Sequence, residues 1–452
     1  MSRTFASLSI YNYRLWFAGA IVSNVGTWMQ RVAQDWLVLT VLSQDSGVAV
    51  GIVTALQFLP FLLLTAWAGV LADRVDQRKL LLFTQSASAA LGIGLGALVL
   101  LGHVQLWHVY LFALALGIVS AIDAPARQTF VAELVPTENL PNAVGLNSAS
   151  FNAARLVGPA VAGLVIAWLG IGWVFIVNGF TFIATIMALL AMRSSELAGA
   201  ERAPRKKGQI REGFRYVRRR PDIMVVLIIV SIVGMLGLNF QLTSALMART
   251  EFGMGPSQYG ILGSVLAIGS LAGALLAARR SRVRVRLVIG AAFGFGIATA
   301  VNATMPSFTL YAITCIPVGF AALTMITSAN AMVQTTTSPA MRGRVMSLYM
   351  MLFVGTTPIG SPIVGWIGEE FGARWAIGVG SIAALLVSIG AAVWAVRYWK
   401  LDVSYHLHKP RLRITYPPTD AARDAADADR RAREDASSKI RSQQIEDKRS
   451  QA

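Results

Sequence analysis

Residues 69–80, GVLADRVDQRKL, place a short charged segment between two long apolar runs. Its ionisable residues are Asp73, Arg74, Asp76, Arg78 and Lys79. An apolar helix of about 20 residues crosses a lipid bilayer, and both flanking runs reach that length. Charged side chains are costly inside the hydrocarbon layer. The segment is therefore predicted to be a hairpin that joins two membrane spans at one face of a membrane.

The composition of the whole chain also indicates a membrane protein. The 452 residues are 55% hydrophobic and 14% charged, with a mean hydropathy of +0.57, whereas a soluble protein has about 25% charged residues. The net charge of +17 could suggest nucleic acid. However, the basic residues lie in loops between apolar segments, where they set membrane orientation, so no nucleic-acid partner is predicted. The single cysteine, Cys315, excludes an intrachain disulfide and a cysteine-based metal cluster, and no metal or cofactor is expected.

Twelve apolar segments follow one another along the chain. They are residues 14–42, 47–72, 79–101, 106–126, 142–169, 171–192, 222–248, 257–278, 286–304, 308–335, 345–368 and 374–397. Several exceed the bilayer thickness, which indicates tilted helices or helices that extend beyond the membrane. The predicted fold class is an all-α membrane protein with twelve transmembrane helices in two six-helix pseudo-repeats.

Two similar segments support the division into halves. Residues 144–163 end in GPAVAG, and residues 345–365 end in GSPIVG about 202 positions later. Each follows a loop on the basic side and opens the fifth span of its half, as in a parallel repeat. The tail after Lys400 is different, because from Asp420 to Arg449 it has almost no large apolar residues and cannot bury a core. The predicted domains are an N-terminal bundle (1–192), a cytoplasmic linker (193–221), a C-terminal bundle (222–399) and a charged cytoplasmic tail (400–452).

The basic residues of the short loops predict the orientation. The loops on one side carry the charged hairpin, the dense run 202–220 and the arginines of 279–286. The loops on the other side are nearly free of lysine and arginine, and only Arg249 and Arg374 interrupt them. The positive-inside rule therefore places both termini in the cytoplasm. The membrane expected from the resemblance described below is the cytoplasmic (inner) membrane. An even number of spans agrees with this orientation.

Polar residues recur along one face of the first span. Asn24, Thr27, Arg31 and Asp35 follow at spacings of three or four, with Gln34 beside them, which places them on one side of a helix. Arg31 and Asp35 are one turn apart and can pair with each other. Two interpretations remain open. The two residues form a neutralising salt bridge, or the Asp35 carboxylate lines a watery cavity and exchanges a proton.

A second charged group lies in spans 4 and 5. Asp123 and Arg127 are four residues apart, and Arg155 follows in the fifth span. An arginine keeps its proton and needs a carboxylate or water, so Asp123 is the predicted partner of Arg155. The group is either a structural lock at the cytoplasmic mouth or a gate. None of the four histidines lies deep in a span, so carboxylates must carry any coupled proton, with Asp35 as the first candidate and Asp123 as the second.

The second half offers mainly amide side chains in its spans, which form hydrogen bonds but do not titrate. The candidates for a substrate cavity in both halves are Asn24, Thr27, Gln34, Asn239, Gln241, Asn330 and Gln334. Gly158, Pro159 and Gly163 form a predicted helix-bend motif, because proline removes a backbone donor and glycine lets a neighbouring helix approach closely. Ordinary packing of membrane helices is the alternative explanation of this motif.

Four features together resemble the major facilitator superfamily: twelve spans, a central linker, two similar halves and the hairpin at 69–80. The resemblance covers residues 10–400. DAPARQTFVAELVP at 123–136 and ARLVGP at 154–159 are similar to the branch that includes the enterobactin exporter and actinobacterial multidrug efflux pumps. GPAVAG at 158–163 resembles the antiporter motif of drug exporters. The resemblance implies proton-coupled export, with the hairpin residues Asp73, Arg74 and Arg78 helping to hold the outward-facing state.

The resulting prediction is a secondary transporter that exports a drug, a siderophore or a similar small amphipathic molecule by alternating access. The alternative is an uptake symporter or facilitator for a small metabolite. The expected partners are the small-molecule substrate, protons and the lipid bilayer, and the protein is expected to be a monomer. The sequence has no nucleophile–His–acid set, phosphate loop or metal cluster, so it is not expected to be an enzyme.

Overall fold

Helices form nearly all of the computed structural model, which describes residues 3–197, 209–278, 284–398, 402–404 and 413–415. The helices are α1 (Tyr11–Leu37), α2 (Gly47–Arg74), α3 (Gln77–Leu100), α4 (Leu106–Leu134), α5 (Leu140–Leu169), α6 (Ile171–Ala191), α7 (Gln209–Arg218), α8 (Pro221–Leu236), α9 (Phe240–Leu246), α10 (Pro256–Ala278), α11 (Val285–Ala303), α12 (Phe308–Thr336), α13 (Pro339–Val354), α14 (Thr357–Glu370) and α15 (Ala373–Tyr398). Part of the predicted linker and most of the predicted tail lie outside the described residues, as do the side chains of Asp73 and Arg74.

Eleven helical segments of the described residues are long and apolar enough to cross a membrane. One of them combines α8 with α9, and another combines α13 with α14. The protein is therefore a multi-pass helical membrane protein. α1 is not among the eleven, although its 27 residues give a length of about 40 Å. Its polar face, which includes Asn24, Arg31 and Asp35, lowers its hydropathy.

The fourth span is longer than predicted. The sequence pattern ended it at residue 126, but α4 continues to Leu134. Asp123 and Arg127 are one turn apart and neutralise each other through an ion pair of 2.9 Å. Beyond them, Phe130 and Leu134 are buried. The predicted end was wrong because charges that pair along one helix face do not end the helix.

The span of α8 and α9 is interrupted at residues 237–239. The side chain of Asn239 replaces part of the missing backbone pairing, because its Nδ2 donates to the carbonyl oxygen of Met235 at 2.8 Å. Its Oδ1 accepts a hydrogen bond of 2.8 Å from Ser361 Oγ on α14. Backbone groups that a break releases inside a membrane need such partners. The break is therefore a fixed bend that is tied to α14.

The helices pack in two sets that meet along two seams. α1 to α6 form the first helix set, in which α1 packs against α5 and α6, α2 against α4, and α3 against α6. α8 to α14 form the second helix set, in which α12 packs against α10 and α11. The two seams between the sets are formed by α2 with α14 and by α5 with α10.

An aromatic core joins the helices of the first set near the start of α1. Trp16 and Phe130 are fully buried, and their rings meet edge to face with centroids 5.3 Å apart. Beside them, the hydroxyl of Tyr13 donates to the carbonyl oxygen of Ala143 at 2.8 Å. Leu81 of α3 packs in the same cluster. Close packing of this kind stabilises helix association where lipid is as apolar as the side chains.

A second compact unit comprises Ile389–Ala452. Its described residues are the end of α15 and two short antiparallel strands, β1 (Asp402–Ser404) and β2 (Arg413–Thr415). Val403 lies opposite Ile414 in this pair. No strand was predicted here, because three-residue strands are too short to show an alternating pattern in the sequence.

Replacing Trp16 with alanine should lower the melting temperature of the detergent-purified protein by several degrees. The change leaves a cavity in the aromatic core, and such truncations cost about 3–5 kcal/mol of unfolding free energy. Trp168→Ala is the matched control, because the Trp168 side chain is 80% exposed, and its melting temperature should stay close to that of the wild type. Thermal melts followed by far-UV circular dichroism make the comparison. Equal melting temperatures for the two variants would contradict the position of Trp16 in the core.

Candidate functional site

Glycines let the two helix sets meet backbone against backbone. A Cβ on Gly47 of α2 would lie 2.5 Å from the carbonyl oxygen of Gly365 on α14. A Cβ on Gly163 of α5 would lie 2.8 Å from the carbonyl oxygen of Pro256 at the start of α10. No larger residue fits at such distances without movement of the backbone. Both contacts lie at the end of the molecule where α1 ends and α2 begins, which we define as the latch end.

Polar contacts close the latch end across the α2–α14 seam. The Glu369 carboxylate accepts hydrogen bonds from Ser46 Oγ at 2.6 Å and from the Val48 backbone N–H at 3.1 Å. It thus binds the N-terminus of α2, where free N–H groups and the helix dipole favour a negative charge. In the adjoining loops, Arg249 Nε donates to Asp45 Oδ1 at 2.9 Å. We define Asp45, Ser46, Arg249 and Glu369 as the latch.

Asp35 is buried near the latch end, where α1 meets the second helix set. Only 6% of the residue is exposed. Its Oδ2 lies 3.4 Å from the hydroxyl of Tyr259 on α10, which also lies 3.2 Å from the carbonyl oxygen of Gln241 on α9. The rings of Tyr259 and Trp36 stack with centroids 5.6 Å apart. Asp35 therefore links the two helix sets, and its partner is a neutral hydroxyl instead of a cation.

Two glutamines extend this polar contact. Gln34 precedes Asp35 on α1, and Gln241 contacts Tyr259 through its backbone. The Nε2 atoms of both glutamines are buried and have no hydrogen-bond partner among the described residues. A buried amide without a partner is costly, so its presence in a fold calls for an explanation. We define Gln34, Asp35, Gln241 and Tyr259 as the Asp35 cluster.

The ion pair between Arg31 and Asp35 that the spacing allows is not formed. The Asp35 carboxylate contacts Tyr259, and the Arg31 side chain lies against aromatic rings. Its Cζ is 5.0 Å from the ring centroid of Trp28 and 5.7 Å from that of Phe58 on α2. Of the two interpretations left open, a salt bridge that neutralises both residues does not describe this structure.

The Arg155 side chain also lies against Trp28, and it does not contact Asp123. Its Cζ is 5.6 Å from the ring centroid of Trp28. Asp123 has other partners, because Arg127 Nε donates to it at 2.9 Å. The Thr84 hydroxyl and the Gln85 amide, both on α3, donate to its other oxygen at 2.7 and 2.8 Å. The predicted partnership of Arg155 with Asp123 is therefore wrong in this structure, since three donors from α3 and α4 already surround the carboxylate.

The other predicted cavity residues are dispersed. Asn24 Nδ2 reaches Ser150 Oγ on α5 at 3.4 Å, and the Thr27 hydroxyl donates to its own helix backbone. Gln334 Nε2 donates to Asn330 Oδ1 at 2.6 Å on the exposed side of α12, near the end opposite the latch. Asn239 has its structural role at the break between α8 and α9. Of the predicted amides, Gln34 precedes Asp35 in the sequence, and Gln241 contacts Tyr259 through its backbone.

The charged hairpin contributes one described arginine, Arg78. Its guanidinium donates to the carbonyl oxygens of Leu189 and Leu190 at 2.8 and 3.1 Å, and to Ser194 Oγ at 2.5 Å. A cation that binds the last carbonyls of a helix complements the helix dipole. Arg78 therefore fastens the start of α3 to the end of α6 within the first helix set.

The helix-bend motif lies where α5 touches helices of both sets. A Cβ on Gly158 would lie 2.6 Å from the Cβ of Trp28 on α1. On its other side, Pro159 packs against Gly260 and Gly263 of α10. The motif therefore lets α5 pack closely against Trp28 of α1 on one side and against α10 on the other.

Known proteins are similar to this membrane protein in sequence and in fold. Residues 2–420 match the MFS_3 family, which is described as a transmembrane secretion effector. The chain belongs to this family. The resemblance to the major facilitator superfamily is thereby confirmed, and the protein is a transporter and not an enzyme.

Relatives of the transporter match along most of its length. The multidrug efflux pump Tap of Mycolicibacterium fortuitum is 28% identical over 400 residues, which cover 85% of this chain and 96% of Tap. The staphyloferrin A transporter of Staphylococcus aureus is 23% identical over 379 residues, which cover 83% of this chain and 94% of that protein. Among solved structures, a D-xylose–proton symporter is similar with a TM-score of 0.64 at 13% identity, covering 84% of this chain and 96% of the symporter. This last likeness concerns the fold alone.

Trp28, Tyr259 and Glu369 of the transporter were not predicted from the sequence. One sequence signal did point to the latch end, because Arg249 and Arg374 interrupt loops that otherwise lack basic residues. In the structure Arg249 pairs with Asp45, and Arg374 pairs with Glu251 at 2.8 Å. A search for acidic residues in the same loops would have found these two partners.

Replacing Glu369 with glutamine should favour opening of the transporter at the latch end, because a neutral amide binds the α2 N-terminus more weakly than a carboxylate. Spin labels on cysteines at the exposed positions of Trp168 and Phe371 report this opening by double electron–electron resonance. The fraction of long distances should increase. Glu370→Gln is the matched control, since this adjacent exposed residue carries the same charge and is not part of the latch. An unchanged distance distribution in Glu369→Gln would contradict the role of the latch.

Proposed function

We propose that the protein is a proton-coupled exporter of a drug, a siderophore or a similar small amphipathic molecule. The name of one relative, a multidrug efflux pump, supports export, and the name of another, the staphyloferrin A transporter, supports a siderophore as a candidate substrate. The observation that carries the proton coupling is Asp35, a buried carboxylate held by Tyr259 where the two helix sets meet. A carboxylate in that position changes its surroundings each time the helix sets separate.

The proposed architecture has twelve spans in two six-helix repeats, with α1 as the twelfth span. The repeats are 1–192 and 222–399, joined by the linker 193–221 and followed by the tail 400–452. The ends of the first span in each half support this division. α1 continues into the π-helical segment Val38–Leu42, and α9 continues into the π-helical segment Met247–Glu251.

Glycines at matching positions also support the repeat. Gly170 and Gly372 are 202 residues apart, and both have a positive φ, of 93° and 94°, directly before the last helix of their half. Gly163 and Gly365 are separated by the same 202 residues, and each meets the start of a helix in the other helix set. The α2–α14 and α5–α10 seams are thus related as two copies of one contact.

The proposed orientation places both termini in the cytoplasm and the latch end outside the cytoplasmic membrane. The positive-inside rule supports it, and the acidic partners of Arg249 and Arg374 neutralise the two arginines that interrupt the outside loops. The structure then represents a state that is closed toward the outside. The transporter acts as a monomer, because one chain supplies both sides of each seam.

In the proposed cycle, the latch and the Asp35 cluster open together. When α1 separates from α10, Asp35 loses the hydroxyl of Tyr259 and meets water from the outside, where it takes up a proton as the substrate leaves. A neutral carboxyl group is far less costly to bury than a carboxylate. Protonation therefore promotes closure of the latch end and return to the inward-facing state.

Asp123 with Arg127 acts as a lock within the first helix set, and the hairpin residues Asp73, Arg74 and Arg78 remain the proposed gate on the cytoplasmic side.

Replacing Asp35 with asparagine should abolish transport that a pH gradient drives in everted membrane vesicles. The amide cannot exchange a proton, but it keeps the size and polarity of the side chain. Exchange of labelled for unlabelled substrate without a gradient should persist, which separates loss of coupling from loss of folding. Asp222→Asn is the control, since this carboxylate pairs with Arg220 at the start of α8, away from the Asp35 cluster. Gradient-driven transport at the wild-type rate in Asp35→Asn would exclude Asp35 as the coupling residue.

The direction of transport is tested with a panel of labelled drugs and siderophores in deletion and overexpression strains. Export predicts that overexpressing cells hold less of the substrate and that deletion strains hold more. Greater accumulation in overexpressing cells would instead support the alternative, an uptake symporter or facilitator.

A further inference from the structure

Two arginines inside the spans share one aromatic partner. The guanidiniums of Arg31 and Arg155 both lie over the Trp28 ring, at 5.0 and 5.6 Å from its centroid. A cation–π contact stabilises a charge by much less than taking that charge out of water costs. Among the described residues, neither guanidinium forms an ion pair or a conventional hydrogen bond. The aromatic contacts alone therefore do not neutralise these two charges.

The neighbouring helices supply fewer negative than positive charges around Trp28. Arg155 is the one charged residue in the sequence of α5. The acidic residue of α1 is Asp35, which acts on Arg31 electrostatically but forms no ion pair with it, because its carboxylate contacts Tyr259. One carboxylate thus faces two guanidiniums. The acidic residue of α2 lies in its last turn, at a helical distance of about 22 Å from Phe58. The site around Trp28 therefore carries excess positive charge.

The two arginines lie among aromatic rings at the contact between the helix sets. Both guanidiniums belong to partly exposed residues between α1, α2 and α5. Leu156, next to Arg155, accepts a hydrogen bond of 2.6 Å from Ser264 on α10, which places the site where the two helix sets meet. Phe151 meets Trp28 edge to face at 5.8 Å, and Phe58 flanks Arg31. The site thus combines two fork-shaped donors with three aromatic rings.

We propose that this site binds the acidic group of the transported molecule, a carboxylate or a phosphate. Guanidinium groups bind the oxygens of such groups in pairs of parallel hydrogen bonds, and flat apolar parts of the molecule stack on the rings. The inference rests on the proposed function, because it narrows the exported molecules to anions. An anion neutralises the site, whereas a cationic drug adds a further positive charge and is disfavoured.

The test uses the purified full-length protein in lipid nanodiscs and three probes of similar shape: naphthoate, naphthyl phosphate and naphthylmethylammonium. Isothermal titration measures their binding without a proton gradient. The affinity of the wild type for each acid should be at least about tenfold higher than its affinity for the ammonium compound. Arg31→Gln and Arg155→Gln should each weaken binding of the acids by roughly tenfold or more, which is the effect of losing a hydrogen bond between charged groups.

Further variants control for charge and folding. Arg193→Gln removes an exposed arginine that pairs with Glu196, and it should bind the acids as the wild type does. Arg31→Lys and Arg155→Lys keep the charge but not the fork, so they should retain part of the affinity. They also allow the test if the glutamine variants fail to fold.

The lipid composition of the nanodiscs identifies the source of the acidic group. A soluble molecule binds equally well in nanodiscs of phosphatidylcholine and of phosphatidylglycerol. If an anionic lipid headgroup occupies the site, phosphatidylglycerol competes with the acids and lowers their apparent affinity. Either result supports an anion site, and the second assigns it to lipid phosphate.

Three results would overturn the inference: equal binding of the acids and the ammonium probe, no binding of either acid, or acid binding that Arg31 and Arg155 variants do not change. None of them affects proton-coupled export, because binding is measured without transport. Conversely, the wild type could bind the acids through its arginines and yet show no transport driven by a pH gradient. That result would overturn the proposed function but not the anion site.

Discussion

The close approach of the helices within each seam, α2 to α14 and α5 to α10, is the constraint on which the other contacts depend. Lipid is as apolar as leucine, so membrane helices are held together by close packing and hydrogen bonds. Gly47 against Gly365 and Gly163 against Pro256 bring backbones to distances that exclude a side chain. Only at this separation can the Glu369 carboxylate reach the first N–H groups of α2 and the Tyr259 hydroxyl reach Asp35. The polar contacts between the sets are therefore a consequence of the glycine contacts.

Charged groups inside the spans are accommodated in three different ways. Asp123 and Arg127 neutralise each other along one helix face, with two further donors from α3. Asp35 has a neutral hydroxyl as its partner, and this leaves its charge free to change with its surroundings. Arg31 and Arg155 lie over one aromatic ring. In our proposals these three arrangements act as a lock, a proton site and a substrate site, and each role depends on the partner that the charge has.

Much of the fold could be predicted from the sequence, because membrane spans are local features. The apolar runs and the hairpin at 69–80 located the helices, and the family resemblance was confirmed. The candidate site was predicted in part. Asp35 was found from its position on a polar face, but its partner Tyr259 is 224 residues away along the chain, and Ser46 and Glu369 are 323 apart. The spacing of Arg31 and Asp35 allowed an ion pair, yet contacts with other helices decided where each side chain points. The direction of each side chain depends on packing against other helices, and the residue spacing within one helix gives no information about that packing.

The exposure of the latch has an environmental consequence. The side chains of Asp45 and Arg249 are 37% and 43% exposed, so dissolved ions reach their ion pair. At physiological ionic strength charges are screened beyond about 8 Å, and at higher salt over still shorter distances. The buried Asp35–Tyr259 contact is shielded from this effect. In the proposed orientation, high salt outside the cell therefore weakens the ion pair of the latch more than the buried Asp35–Tyr259 contact, and a dilute medium strengthens that ion pair.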